Sequence, residues 1–136
     1  MADGGITGER ETVFEGLTAI FQVRDFQEAL DYYSRVLGFE IGWVWGEPPS
    51  YASVCRDRAE INFGAPQEGQ TISPSSIYIA LTQIDAYYET IRAKGAAVAV
   101  PIGDRPYGMR DFSIKDPSGN EISFGQPTRG DAASAA

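Results

Sequence analysis

The chain has 136 residues, 43% of them apolar or aromatic, which is enough for one domain with a full-sized core. Its net charge of −8 argues against nucleic acid and anionic membrane surfaces as partners; it favours a cationic partner, or simply solubility. The chain contains no histidine, which removes Ser-His and Cys-His catalysis and the commonest side-chain ligand of transition metals.

No run reaches the length of a membrane helix, and the N-terminus lacks the apolar core of a signal peptide. The single cysteine, Cys55, excludes an intrachain disulfide framework and fits a reducing cytoplasm. With no histidine to activate it, Cys55 is expected as a small buried apolar residue.

Residues 1–16 are expected as a tail or arm, and residues 126–136, ending in small residues, as a second tail. Leu17 to Val23 reads as a strand from its β-branched and aromatic content. Asp25 then caps a helix, with Glu28 completing a capping box. Phe26, Ala29, Leu30, Tyr33, Val36 and Leu37 form one apolar stripe along it, and Gly38 stops it in the left-handed conformation. Three strands follow: Phe39 to Trp45, Tyr51 to Cys55 and Glu60 to Phe63. The turns between them hold Gly46–Pro49 and Arg56–Arg58.

Residues 65–75, rich in Gly, Pro, Ser and Gln, read as a linker, after which the order repeats. Ile77 to Leu81 is a strand, and Thr82 or Asp85 is the expected cap of a second helix. Ile84, Tyr87, Tyr88 and Ile91 line that helix and Gly95 stops it. Val98 and Val100 begin the next strand. Phe112 and Ile114, then Ile122 and Phe124, alternate with polar residues on either side of Asp116-Pro117-Ser118-Gly119-Asn120, a turn sequence, and so predict a closing hairpin. The chain is therefore expected to be α+β, a single domain over 17–125 built of two βαβββ modules, 17–64 and 76–125. Two sheets with one helix each must bury their remaining faces, either around a pocket or against another copy.

Val23-Arg24-Asp25 entering a helix, Tyr33 and Val36-Leu37-Gly38-Phe39-Glu40 leaving it, and Asp116-Pro117-Ser118-Gly119-Asn120 before the last strand resemble the vicinal oxygen chelate superfamily. This is the glyoxalase/bleomycin-resistance/dioxygenase superfamily. The resemblance covers about residues 17–125. It implies a curled sheet around a cavity, in a homodimer.

Family enzymes hold a divalent metal at four cavity-facing strand positions, which the resemblance sets on Thr18, Asn62, Tyr78 and Ser123. None is a histidine or a carboxylate, so no metal or other cofactor is expected, although Glu60 and Glu121 lie two residues from Asn62 and Ser123 and suggest an atypical two-carboxylate site. The resemblance is closer to the metal-free branch, whose bleomycin-resistance-type proteins sequester a flat cationic antibiotic without chemistry.

On that reading the ligand contacts are Trp43 and Trp45, two apart on one face of the second strand, with Tyr51, Tyr78, Tyr107 and Phe112. Glu60 and Glu121 supply counter-charge, alongside Thr18, Asn62 and Ser123. Trp43 and Trp45 read equally as residues packing on a helix. Arg110 is either a ligand clamp or half of a surface pair with Asp111. The expected function is a metal-free, dimeric, cytoplasmic drug- or natural-product-binding protein, with no nucleic-acid or membrane partner. The alternatives are a glyoxalase-like lyase, isomerase or dioxygenase with an atypical carboxylate site, and an interaction module whose cavity is filled by its own side chains.

Overall fold

The computed structural model describes residues 11–128; the outer parts of both expected tails lie outside these residues. The elements are β1 (Ala19–Gln22), α1 (Phe26–Asp31) continuing as a π-helical turn (Tyr32–Val36), β2 (Glu40–Trp45), β3 (Tyr51–Arg56) and β4 (Ala59–Gly64). Then come β5 (Ser76–Ala80), α2 (Ile84–Ala93), β6 (Ala97–Asp104), β7 (Met109–Lys115) and β8 (Glu121–Pro127). They form two four-stranded sheets of the same order, β1-β4-β3-β2 and β5-β8-β7-β6. In each, the first strand lies parallel to the last and the other pairs are antiparallel. Among the described residues the two sheets share no strand pairing, so the sheet they form is not closed.

Local chemistry sets the helix ends. Asp25 is extended (φ −146°) and its carboxylate accepts from the Glu28 amide at 2.8 Å, as expected of an N-cap. The Glu28 carboxylate is held instead by Arg24, whose Nε and Nη2 donate to it at 2.9 and 3.0 Å. At α2 neither expected cap is used. The Ile84 amide donates to Oε1 of Gln126, on β8, at 2.8 Å. Gly38 (φ +78°) ends the first helix, a conformation that costs a β-carbon-bearing residue far more than glycine.

Each helix covers one face of its own sheet. Under α1 lie Phe21, Ala52, Val54, Ile61 and Phe63, with Tyr33 stacked on Phe63 at 5.4 Å between ring centroids. Under α2 lie Phe112, Ile114, Ile122 and Phe124, with Tyr88 edge-on to Phe112 at 4.8 Å. Burying each of these large side chains is worth about 1.5–3 kcal/mol. The helix tyrosines thus belong to the core, as their stripe predicts.

Among the described residues, polar groups join the modules at two places. The π-turn points Tyr33 at the β7–β8 turn, where its hydroxyl donates to Asp116 Oδ2 at 2.8 Å. Asp116 Oδ1 accepts from the amides of Ser118 and Asn120, and Asn120 Nδ2 donates to the Gln22 carbonyl on β1 at 2.9 Å. The Asp-Pro-Ser-Gly-Asn sequence therefore docks one module on the other as well as turning the chain. At the second place the Tyr87 hydroxyl donates to the Leu37 carbonyl at 2.7 Å, and the Arg56 guanidinium lies 5.1 Å above the Tyr87 ring.

Candidate functional site

Pleating puts alternate residues of each strand on the face that no helix covers. Cross-strand register fixes three rows on the first sheet: Glu60, Cys55 and Glu40; Ile20, Asn62, Ser53 and Trp43; and Gln22, Gly64, Tyr51 and Trp45. A register shift between Ile41 and Trp43, at Gly42, puts Trp43 opposite Ser53 and Trp45 opposite Tyr51. Neither tryptophan packs on a helix. Trp43 lies 5.7 Å from the Tyr51 ring centroid and is 44% exposed, and Trp45 is 68% exposed.

Glu60 sits beside this platform. Its two oxygens accept hydrogen bonds from Thr18 Oγ1 and Ser53 Oγ, each at 2.8 Å. These donations, Ser53 first, hold its carboxylate below the usual range, so it is ionised at neutral pH. Asn62, next on this face of β4, has a buried Oδ1 without a hydrogen-bond partner among the described residues, a group that costs free energy until a donor meets it.

The second sheet presents Tyr78 on β5, Glu121, Ser123 and Gly125 on β8, and Asp111 and Ser113 on β7. Asp111, 6% exposed, is bonded by Arg105 Nε at 2.7 Å, the Tyr107 hydroxyl at 2.8 Å and the Tyr78 hydroxyl at 3.2 Å. Burial raises its affinity for a proton, but the Arg105, Tyr107 and Tyr78 donations outweigh that and keep it below the ordinary carboxylate range. Burial, then the charge of Asp111, pushes the Tyr78 phenol up to about 12. Ser113 and Ser123 share a hydrogen bond of 2.7 Å.

Gly64 and Gly125 occupy the same place in their modules. Each gives a tyrosine ring a bare stretch of backbone: a side chain on Gly125 would run into Tyr78, and one on Gly64 into Tyr51. A half-open groove of about 1590 Å³ runs between the modules past the edge strands β1 and β5, with Thr18 and Glu60 on one wall and Tyr78 on the other.

Of the sequence-predicted residues, Thr18, Trp43, Trp45, Tyr51, Glu60 and Asn62 share one face, and Tyr78, Tyr107, Glu121 and Ser123 belong to the second module. Two do not join either set. Phe112 is wholly buried between Tyr88 and Phe124 under α2. Arg110 also lies on the helix side, where Asp85 and Asp104 hold it at 2.7 and 3.1 Å. The reason is pleating: with Phe112 and Ile114 in the core, Asp111 and Ser113 take the open face. That same alternation would have identified Asp111 from sequence, whereas Arg105 and Gln126 act from outside any periodic pattern. Glu60 and Glu121 lie on different sheets, so one face of the chain does not bring them together.

The four positions of the family metal carry neutral oxygens, two on each sheet. Thr18, Tyr78 and Ser123 are already bonded to Glu60, Asp111 and Ser113. Such donors do not offset the dehydration of a divalent ion, and the set does not fit one. Among the described residues no three Cys, Asp or Glu side chains are grouped to hold a metal.

The sequence model of the Glyoxalase/Bleomycin resistance protein/Dioxygenase superfamily matches residues 17–124. An uncharacterised protein of Mycobacterium tuberculosis is 33% identical over 121 residues, covering 79% of this chain and 71% of its own. TnmS3, an antibiotic binding protein from Streptomyces sp. CB03234, superposes with a TM-score of 0.73 at 21% identity, covering 86% of this chain and 98% of its own. A lactoylglutathione lyase from Agrobacterium tumefaciens superposes with a TM-score of 0.67 at 18% identity, covering 85% of this chain and 93% of its own. At these identities the two structures establish a shared fold, and the fold carries both binding proteins and enzymes.

Proposed function

The chain belongs to the glyoxalase/bleomycin resistance protein/dioxygenase superfamily, and from that premise we propose that it is a binding protein, holding a planar cationic small molecule without making or breaking bonds in it. The observation that carries this reading is the open face of the first module. There Trp43 packs against Tyr51, Trp45 stands exposed opposite Tyr51, and Ser53, the cross-strand neighbour of Trp43, bonds Glu60, an ionised carboxylate whose hydrogen-bond partners are hydroxyls. Ring stacking and cation–π contacts of this kind are worth about 0.5–2 kcal/mol each. The antibiotic-binding neighbour TnmS3 supports the ligand class, an antibiotic or similar natural product, and with it a role in sequestration.

The enzyme reading requires a metal or a carboxylate of raised pKa. The metal positions carry the wrong donors, and Glu60 is shifted in the other direction. The open faces also carry Ile20, Tyr78 and Val100 uncovered, and a second copy is the natural cover, making the protein a homodimer whose ligand lies in the enclosed space. A lone cysteine without a disulfide fits the cytoplasm as its compartment.

The test is the melting temperature of chelator-treated protein with divalent metals and with planar cations. A ligand at a hundred times its Kd adds about 2.7 kcal/mol, a shift of several degrees at this chain length. Planar cations should shift the melt, and Trp43→Ala should reduce that shift. A shift by a metal alone would overturn the reading. Sedimentation should give about twice the 14.8 kDa chain mass.

A further inference from the structure

Hydrogen-bond polarity on the open faces constrains the ligand beyond its being flat and cationic; the argument rests on the small-molecule reading above. Among the described strand residues of the first module, the charged side chains of the open face are Glu40 and Glu60, with no arginine or lysine among them. Glu60 accepts only, and the hydroxyl protons of Thr18 and Ser53 are already committed to it. Asn62 Oδ1 is a buried acceptor still lacking a donor.

The second module differs. Asp111 is neutralised by Arg105, and Lys115 and Glu121 are cross-strand neighbours, so that face carries no net charge. The Tyr78 and Tyr107 phenols give their protons to Asp111 and keep lone pairs to offer. The side-chain donors left on the first face are neutral: the indole N–H groups of Trp43 and Trp45, the Tyr51 phenol and the amides of Asn62 and Gln22.

We propose that the ligand is recognised through its own N–H groups: a planar aromatic cation with amino or amidine donors at the ring edge, its ring over Trp43 and Tyr51 and its donors on Glu60 and Asn62. The spacing allows it. Trp43 and Asn62 share a row two strands apart, about 10 Å, the span of a fused two- or three-ring system. A quaternary or fully alkylated cation of the same shape stacks equally well but leaves Asn62 Oδ1 unpaired, and buried polar groups left unpaired are the strongest basis for rejecting an analogue.

The experiment titrates the full chain, by fluorescence and calorimetry, with three planar probes. These are proflavine, an acridinium with two free amino groups; acridine orange, its tetramethylated counterpart; and anthraquinone sulfonate, an anion. Proflavine should bind about tenfold more tightly than acridine orange, the worth of one or two added hydrogen bonds. Asn62→Leu and Glu60→Gln should each weaken proflavine and reduce the tenfold preference towards parity. Equal affinity for the two cations in the native chain would overturn the donor inference while leaving the binding-protein reading intact. Preference for the sulfonate would overturn the charge assignment as well, and failure of all three probes would remove the reading on which the inference rests.

Discussion

Gly125→Ala tests whether backbone left bare by glycine sets the geometry of the second module's open face. The new β-carbon would lie 2.5 Å from Cζ of Tyr78 and 2.8 Å from its Cε1, distances that real β-carbons do not show. Gly125 is not among the glycines of positive φ, so its backbone accepts alanine and the ring must move instead. Tyr78 is 50% exposed and can swing outward, giving up its 3.2 Å hydrogen bond to Asp111.

Stability should then change little. The bond is long and half-exposed, and Asp111 keeps Arg105 and Tyr107, so losing it costs only about 0.5–1.5 kcal/mol, and replacing glycine by alanine returns about 0.4–1 kcal/mol by restricting the unfolded chain. The diagnostic quantity is the phenol itself. In the native chain Tyr78 should ionise near 12, raised by burial and by the charge of Asp111. Its contribution to stability is whole below the unfolded value near 10 and is lost as pH rises towards 12. In Gly125→Ala the phenol should return towards 10 and that window should close. Labelled-tyrosine NMR titration, with Tyr78→Phe to assign the resonance, reads this directly. A Tyr78 that still ionises near 12 in the variant would refute the account of Gly125.

Tyr33→Phe removes a donor from the buried Asp116 and should cost about 1.5–3 kcal/mol, the worth of a hydrogen bond to a charged group. Tyr32→Phe, whose hydroxyl reaches the Lys115 carbonyl at 3.3 Å, should cost less, and urea midpoints at constant slope compare them. Gln126→Leu should lower the melting temperature by a few degrees through loss of an N-terminal acceptor worth about 1 kcal/mol, whereas Thr82→Ala should leave it unchanged. Because Ser53 and Thr18 lower the Glu60 pKa, affinity for a planar cation should hold as pH falls to the ordinary carboxylate value of 4.5. It should weaken only below that, a dependence that calorimetry should find absent in Glu60→Gln.

Much of the fold is legible along the chain because its determinants are local. Asp25 reaches its own first turn, Gly38 adopts the one conformation that stops the helix, and Asp116 to Asn120 closes on itself through Asp116 Oδ1. The apolar stripes and alternations are local too, and their repetition identifies two modules before any contact is known. The resemblance sets the family metal positions on Thr18, Asn62, Tyr78 and Ser123, and that none of these is acidic or an imidazole is then read from residue identity.

What tertiary structure decided is which side of each strand faces where, and which distant groups complete a local one. The register shift at Gly42 keeps Trp43 and Trp45 on the open face, and a one-residue difference in phase puts Asp111 there in place of Arg110 and Phe112. Gln126 caps α2 from a strand 42 residues away, and Tyr33 reaches Asp116 across 83. A sequence states which side chains have unmet hydrogen bonds and charges. Partners that lie tens of residues apart are chosen by packing, because only the folded chain brings them within bonding distance.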